Sequence, residues 1–178
     1  MFQDIIHFWF KEIDSKQWWK VDPAFDQLIA ERFGATLRSA SLGELWSWRE
    51  SPYGRLAEII VLDQFSRNVY RGTPQAFAQD PMALALTQEA IRLKADEDMT
   101  PVERNFLYMP LMHCESHVVH AFAEKIFRER APQANYEFEL KHKRIIDRFG
   151  RYPHRNAILG RTSSAEEIEF LKEDGSSF

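Results

Sequence analysis

Four prolines set the frame of this chain, because each directly follows a residue that can cap a helix: Asp22-Pro23, Ser51-Pro52, Asp80-Pro81 and Thr100-Pro101. An N-cap side-chain oxygen accepts from the free amides of the first turn. Proline at the next position lacks the amide that would otherwise go unpaired. Thr100 is followed by Glu103 and Ser164 by Glu167, which is the spacing of a capping box. A chain with this many helix starts, and no alternating apolar–polar run of strand length, is expected to be all-α.

Helical periodicity follows these starts. Phe25, Leu28, Ile29, Phe33 and Leu37 recur at three- and four-residue steps, and Ala83, Leu84, Leu86, Ala90 and Ile91 line another helical face. The pattern predicts about seven helices, near 2–12, 23–41, 52–67, 81–95, 101–130, 134–149 and 165–173. Pro110 should kink or split the fifth. Connections are short and no low-complexity linker interrupts them, so residues 1–178 read as a single domain of antiparallel helix pairs.

Charge and composition exclude several classes. A net charge of −4 argues against general nucleic-acid binding, which needs a basic excess to displace counterions. Residues 141–161 nevertheless carry seven Lys or Arg against one Asp, and 166–174 carry five acids against one Lys, so the acidic end is expected to fold back beside the basic stretch. A lone cysteine, Cys114, excludes an internal disulfide and suits a reducing compartment. No signal-peptide pattern and no apolar run of ~18 residues is present, which points to a cytoplasmic chain without a membrane span. Oligomeric state is left open.

Two arginine-rich stretches concentrate the functional signal. Asp63, Phe65, Arg67 and Arg71 share relative positions with Asp147, Phe149, Arg151 and Arg155, and each stretch contains an Arg-Asn step. Arginine offers a planar fork of donors suited to carboxylate or phosphate. The candidate ligand-binding residues are therefore Arg67, Asn68, Arg71, Arg151, His154, Arg155, Asn156 and Arg161, with Arg67, Arg71, Arg151 and Arg155 expected to converge on one concave surface. The structural alternative is that these arginines cap helix ends and pair locally, as Asp63–Arg67 and Asp147–Arg151 can at i,i+4.

His113, His117 and His120, with Glu124 beyond them, would share one stripe of an unbroken helix. The first and third lie two turns apart, too far for equal bonds to one ion, so a packed or solvated face is expected rather than a metal site. No metal and no cofactor is implied. Adjacent helical residues diverge by about 100°, so Cys114 reads as a small packing residue rather than the partner of His113. Phe8-Trp9-Phe10, Trp18-Trp19 and Trp46-Ser47-Trp48 read as core, with a stacking platform as the alternative. At the tail, Gly175 suits the position after a helix end, and Phe178 is expected to dock on the surface.

Several motifs together resemble one family. They are Phe8-Trp9-Phe10; Leu62-Asp63-Gln64-Phe65-Ser66-Arg67-Asn68 with Tyr70-Arg71-Gly72-Thr73-Pro74; and Glu103-Arg104 with Phe106-Leu107-Tyr108-Met109-Pro110. Arg148-Phe149-Gly150-Arg151 with Pro153-His154-Arg155-Asn156, and Gly175-Ser176-Ser177-Phe178, complete the set. Across the chain they resemble the bacterial domain-of-unknown-function family 924. The resemblance implies a compact, tetratricopeptide-repeat-like right-handed helical array and brings no activity with it. Ser66, His7 and Cys114 depart from the family pattern, and His117 and His120 do not belong to it.

The functional expectation is binding of an anionic group, such as a carboxylate, a phosphate or an acidic peptide, at the arginine and asparagine residues. The alternative is an enzyme acting on a phosphorylated or carboxylated metabolite, with His154, or His113 with Glu115, as acid–base groups.

Overall fold

A computed structural model describes residues 1–177. The chain is all-α, and no strand occurs among the described residues. In order, the α-helices are α1 (Phe2–His7), α2 (Pro23–Ser41), α3 (Pro52–Ile60), α4 (Ser66–Val69), α5 (Asp80–Arg92), α6 (Pro101–Met112), α7 (His117–Arg130), α8 (Gln133–Phe149) and α9 (Ala165–Phe170). Tighter single turns occupy Ser15–Trp19, Trp46–Glu50, Pro74–Phe77 and Pro153–Arg155. None of the helices is long and apolar enough to cross a membrane, among the described residues.

Three of the four cap–proline starts behave as their chemistry dictates. Asp22 accepts from the Ala24 and Phe25 amides, Ser51 from Gly54, and Thr100 from Glu103. The Ser164–Glu167 capping box likewise opens α9. The fourth start differs. Asp80 is already the first residue of α5, and its N-cap Gln79 makes no side-chain cap bond. The Asp80 carboxylate is occupied by two arginines instead.

Two helices contain a π turn. The helix begun at Phe2 widens over Phe8–Glu12, and α3 widens over Val61–Phe65 before continuing as α4. A π turn lodges one extra residue in the ladder and changes which side chains face inward. All five residues from Val61 to Phe65, Asp63 and Gln64 included, are buried.

The helix expected over 101–130 is two helices, which raises the number of helices above the seven expected. Pro110 contributes no amide to the ladder, α6 stops at Met112, and Ser116 caps α7 by accepting from Val119 at 3.4 Å. The corner at 113–116 therefore separates His113 from His117 and His120, and the single histidine stripe does not exist. His113 faces Asp63 of the π turn after α3, whereas His117 and His120 face Asp147 and Glu139 of α8.

The core is mainly aromatic on the N-terminal side. Phe8 and Phe33 have ring centroids 4.9 Å apart, and Trp9 packs edge-on to Phe106 at 5.6 Å. Trp18 joins Phe106 at 4.9 Å, whereas Trp19 and Trp46 are exposed. A second cluster of Ile145, Ile146, Tyr152 and Phe170 lies toward the C-terminus. There α7 and α8 pack as an antiparallel pair through the link Ala131-Pro132. Gly150 ends α8 with φ +69°, the left-handed conformation that favours glycine. The acidic end folds back as the charge pattern suggested, with Arg148 on Glu166 at 2.8 Å and Arg151 on Glu167 at 2.6 Å. The expectation for Phe178 lies outside the described residues.

Candidate functional site

The π turn of α3 delivers Asp63 to the interior, where it is 1% exposed. Its Oδ1 meets His113 Nδ1 at 2.7 Å and Arg67 Nη1 at 3.1 Å, and its Oδ2 accepts from Gln64 at 2.5 Å. Arg67 also donates to the Asp63 carbonyl at 2.7 Å, then forks onto both oxygens of Asp80 at 2.9 and 3.0 Å. Arg155 reaches the same carboxylate from the other arginine stretch, with Nη1 3.2 Å from Asp80 Oδ2. The Phe77 ring lies against both guanidiniums, 5.6 Å from Arg67 and 4.6 Å from Arg155. Tyr152 takes another face of Arg155 at 4.7 Å.

The expected convergence of four arginines is thus corrected to two. Arg71 forks onto Asp26 of α2 at 2.6 and 2.8 Å, joined by Asn68 at 2.7 Å. Arg151 forks onto Glu167 at 2.6 and 2.8 Å and also donates to the Thr162 carbonyl. Each has a carboxylate of its own close by, so neither is available at the meeting point. The sequence echo is likewise not an equivalence. Asp147 bonds Lys143 at 2.6 Å rather than Arg151 and is half exposed, whereas Asp63 is buried on Arg67.

Arg161 serves mainly to brace the loop after α8. It forks onto Glu115 at 2.5 and 2.9 Å and donates to Asn156 at 2.9 Å, while Asn156 donates to Ser163 at 3.0 Å. Glu115 also accepts the Tyr152 amide at 2.7 Å. Tyr152 sends its hydroxyl to the Met112 carbonyl at 2.5 Å. His120 spans Glu139 at 2.8 Å and the Cys114 carbonyl at 2.9 Å. These bonds fix the 113–116 corner against the C-terminal loop.

A cleft of about 410 Å³ opens between these parts. Phe77, Pro81, Leu84 and Leu159 give it apolar walls, and Asp80, His113, Cys114, Glu115 and Arg155 supply its polar lining. The volume is in the range of small-molecule sites. A second depression of about 330 Å³ beside Arg38 and Tyr70 is lined by neither histidine nor carboxylate.

Electrostatics differ sharply among the groups in and around the cleft. Burial alone would raise the Asp63 carboxyl, but Arg67, His113 and Gln64 outweigh it and hold Asp63 below the usual carboxylate range. Burial, then Arg67, lowers the His113 imidazole. Burial, then Arg155, brings His154 down to about 4. Burial pushes the half-buried Cys114 thiol up, which favours the thiol over the thiolate. Glu115 would be raised by burial, yet Arg161 and the Tyr152 amide hold it down. Arg155 is lowered by burial and by Arg67, the other cation on the same carboxylate.

Asp80 was hidden from sequence reasoning by its resemblance to the three true caps. The i,i+4 spacing of Asp63 and Arg67 was visible, whereas the apolar walls at Phe77, Leu84 and Leu159 carried no signal of their own.

The profile of a family described as bacterial protein of unknown function, DUF924, matches residues 5–175. The chain belongs to this family. A solved structure of a protein of unknown function, ATU0120 from Agrobacterium tumefaciens, superposes with a TM-score of 0.91 at 35% identity, covering 96% of each chain. No curated protein matches the chain.

Proposed function

We propose that the cleft beside Arg155 binds a small molecule through a single carboxylate. The supporting observation is that Arg155, only 6% exposed, lines the cleft with its Nε buried and without a hydrogen-bond partner among the described residues. A buried donor with no partner costs about 1–3 kcal/mol, which a bound acceptor relieves. Arg67 has no such vacancy, because Asp63 and Asp80 occupy it.

Charge selects among anions. Asp80 is shared by Arg67 and Arg155 and Glu115 is answered by Arg161, so among the described lining residues the spare cationic donor is the Arg155 Nε. One fork without a surplus field suits a monoanion better than a dianionic phosphate. The apolar walls fit a compact hydrocarbon or aromatic body, and the volume of about 410 Å³ suits a metabolite rather than a peptide segment.

Calorimetric titration with benzoate and with inorganic phosphate tests this reading. Benzoate is expected to bind and phosphate to bind more weakly. Arg155→Gln should weaken benzoate by roughly tenfold or more. Leu159→Trp, which fills the cleft without touching the charged cluster, should abolish binding in a folded chain. Equal benzoate affinity in both variants, or none in the wild type, rejects the proposal.

A further inference from the structure

Resting on that carboxylate-binding reading, we propose that His113 is a proton acceptor for the bound acid, with Asp63 as its positioning residue. The substrate class is a small 2-oxo acid whose carbon–hydrogen bond is acidified by the neighbouring carbonyl. What carries this is one juxtaposition: a buried carboxylate bonded to Nδ1 of an imidazole that lines the same cleft as Arg155.

An ionised carboxylate only accepts hydrogen bonds, so His113 Nδ1 carries the hydrogen it shares with Asp63 at 2.7 Å. That assigns the lone pair to Nε2. No hydrogen bond to Nε2 is made among the described residues. Arg67 and Gln64 keep Asp63 from turning away, because they hold both of its oxygens. The π turn supplies the placement, since it turns Asp63 and Gln64 inward together. A histidine oriented by a carboxylate on Nδ1 is a recurrent arrangement for proton transfer at Nε2.

The other acids near the cleft are less suited to this step. Glu115 is held by both nitrogens of the Arg161 fork and by the Tyr152 amide, and Asp80 is held by Arg67 and Arg155. Burial and Arg67 keep the His113 imidazole neutral near neutral pH, the form that accepts a proton.

With the carboxylate on Arg155, the Nε2 lone pair takes a proton from the carbon next to the keto group. The carbon–hydrogen pair becomes the new carbon–carbon π bond, and the carbonyl π pair moves onto oxygen. The imidazolium so formed sits against the Asp63 carboxylate. It returns its proton to that oxygen or to the carbon, which restores neutral His113. No oxidant, metal or second substrate enters the balance.

The probe is phenylpyruvate in heavy water, with exchange of its C3 protons followed by proton NMR beside benzoate titrations of the same proteins. The wild type is expected to exceed buffer exchange by about a hundredfold. His113→Gln should fall to the buffer rate while still binding benzoate. Asp63→Asn should lower kcat with little change in KM and move the His113 hydrogen to Nε2, read by nitrogen NMR. Should Asp63→Asn not fold, the nitrogen shifts of wild-type His113 give the tautomer directly. Benzoate binding with exchange at the buffer rate overturns the catalytic inference alone, as does full exchange in His113→Gln or an Nε2–H tautomer in the wild type. Absence of benzoate binding overturns the binding reading and this inference with it.

Discussion

Replacing Asp80 by Asn keeps the shape of the side chain and removes the charge on which Arg67 and Arg155 meet. The two guanidiniums approach its oxygens at 2.9, 3.0 and 3.2 Å in a region where Arg155 is almost fully buried. With charge centres about 4 Å apart and an effective dielectric of about 20, each attraction is on the order of 4 kcal/mol. Not all of this is lost in Asp80→Asn. The amide needs less desolvation than the carboxylate, and Arg67 keeps its bonds to Asp63. Removing one partner of a buried ion pair costs about 3–5 kcal/mol, and the upper part of that range is expected because two cations are left facing each other. Urea unfolding followed by tryptophan fluorescence should show a lower midpoint with an unchanged slope. Adding Arg155→Gln to Asp80→Asn should restore part of the loss, giving a coupling energy of about 1–3 kcal/mol. A loss below about 1 kcal/mol in the single variant, or strict additivity in the pair, would show that Asp80 is not shared in the way its distances imply.

Two other outcomes follow from packing and titration. A Cβ on Gly54 would sit 1.9 Å from the Trp48 carbonyl oxygen, so Gly54→Ala must push α3 off the turn before it and should cost about 3 kcal/mol or more; a thermal midpoint within error of wild type would contradict this. Burial lowers His142 to about 3 and His154 to about 4 from 6.5, so the folded chain keeps both neutral while the unfolded chain takes up protons. Stability should therefore fall as pH drops from 6.5 toward about 4, by up to roughly 1.4 kcal/mol per pH unit for each histidine, with Glu139, raised by burial, offsetting part. Midpoints measured across that window in wild type and in His142→Gln should diverge, and a flat wild-type curve would count against the assignment.

Local chemistry made the helix starts legible. A Ser, Thr or Asp before proline states its own structural role when its acceptor and the waiting amides lie within three residues, as at Asp22, Ser51 and Thr100. Asp80 carries the same local pattern, but its partner Arg155 lies 75 residues away, and no nearby residue records that choice. The break at 113–116 was masked for a related reason, since it contains neither glycine nor proline and only Ser116 hints at a new start. The π turn at 61–65 is a change of register, which composition does not encode. Arginine density located the right neighbourhood. Separating Arg155 from Arg71 and Arg151 required knowing which carboxylates stand beside each.

The cleft takes one part of its wall from Leu159 and Arg155, late in the chain, and another from Phe77, Pro81 and Leu84, much earlier. During synthesis the early wall leaves the ribosome well before the late one exists. A nascent chain halted after α6 already holds most residues of the aromatic core, yet it has no place for a ligand to sit. Ligand-dependent protection from proteases should thus appear abruptly, only once the segment around Leu159 has emerged and docked. The segment around Leu159 is thus what completes the cleft in which the proposed ligand would sit.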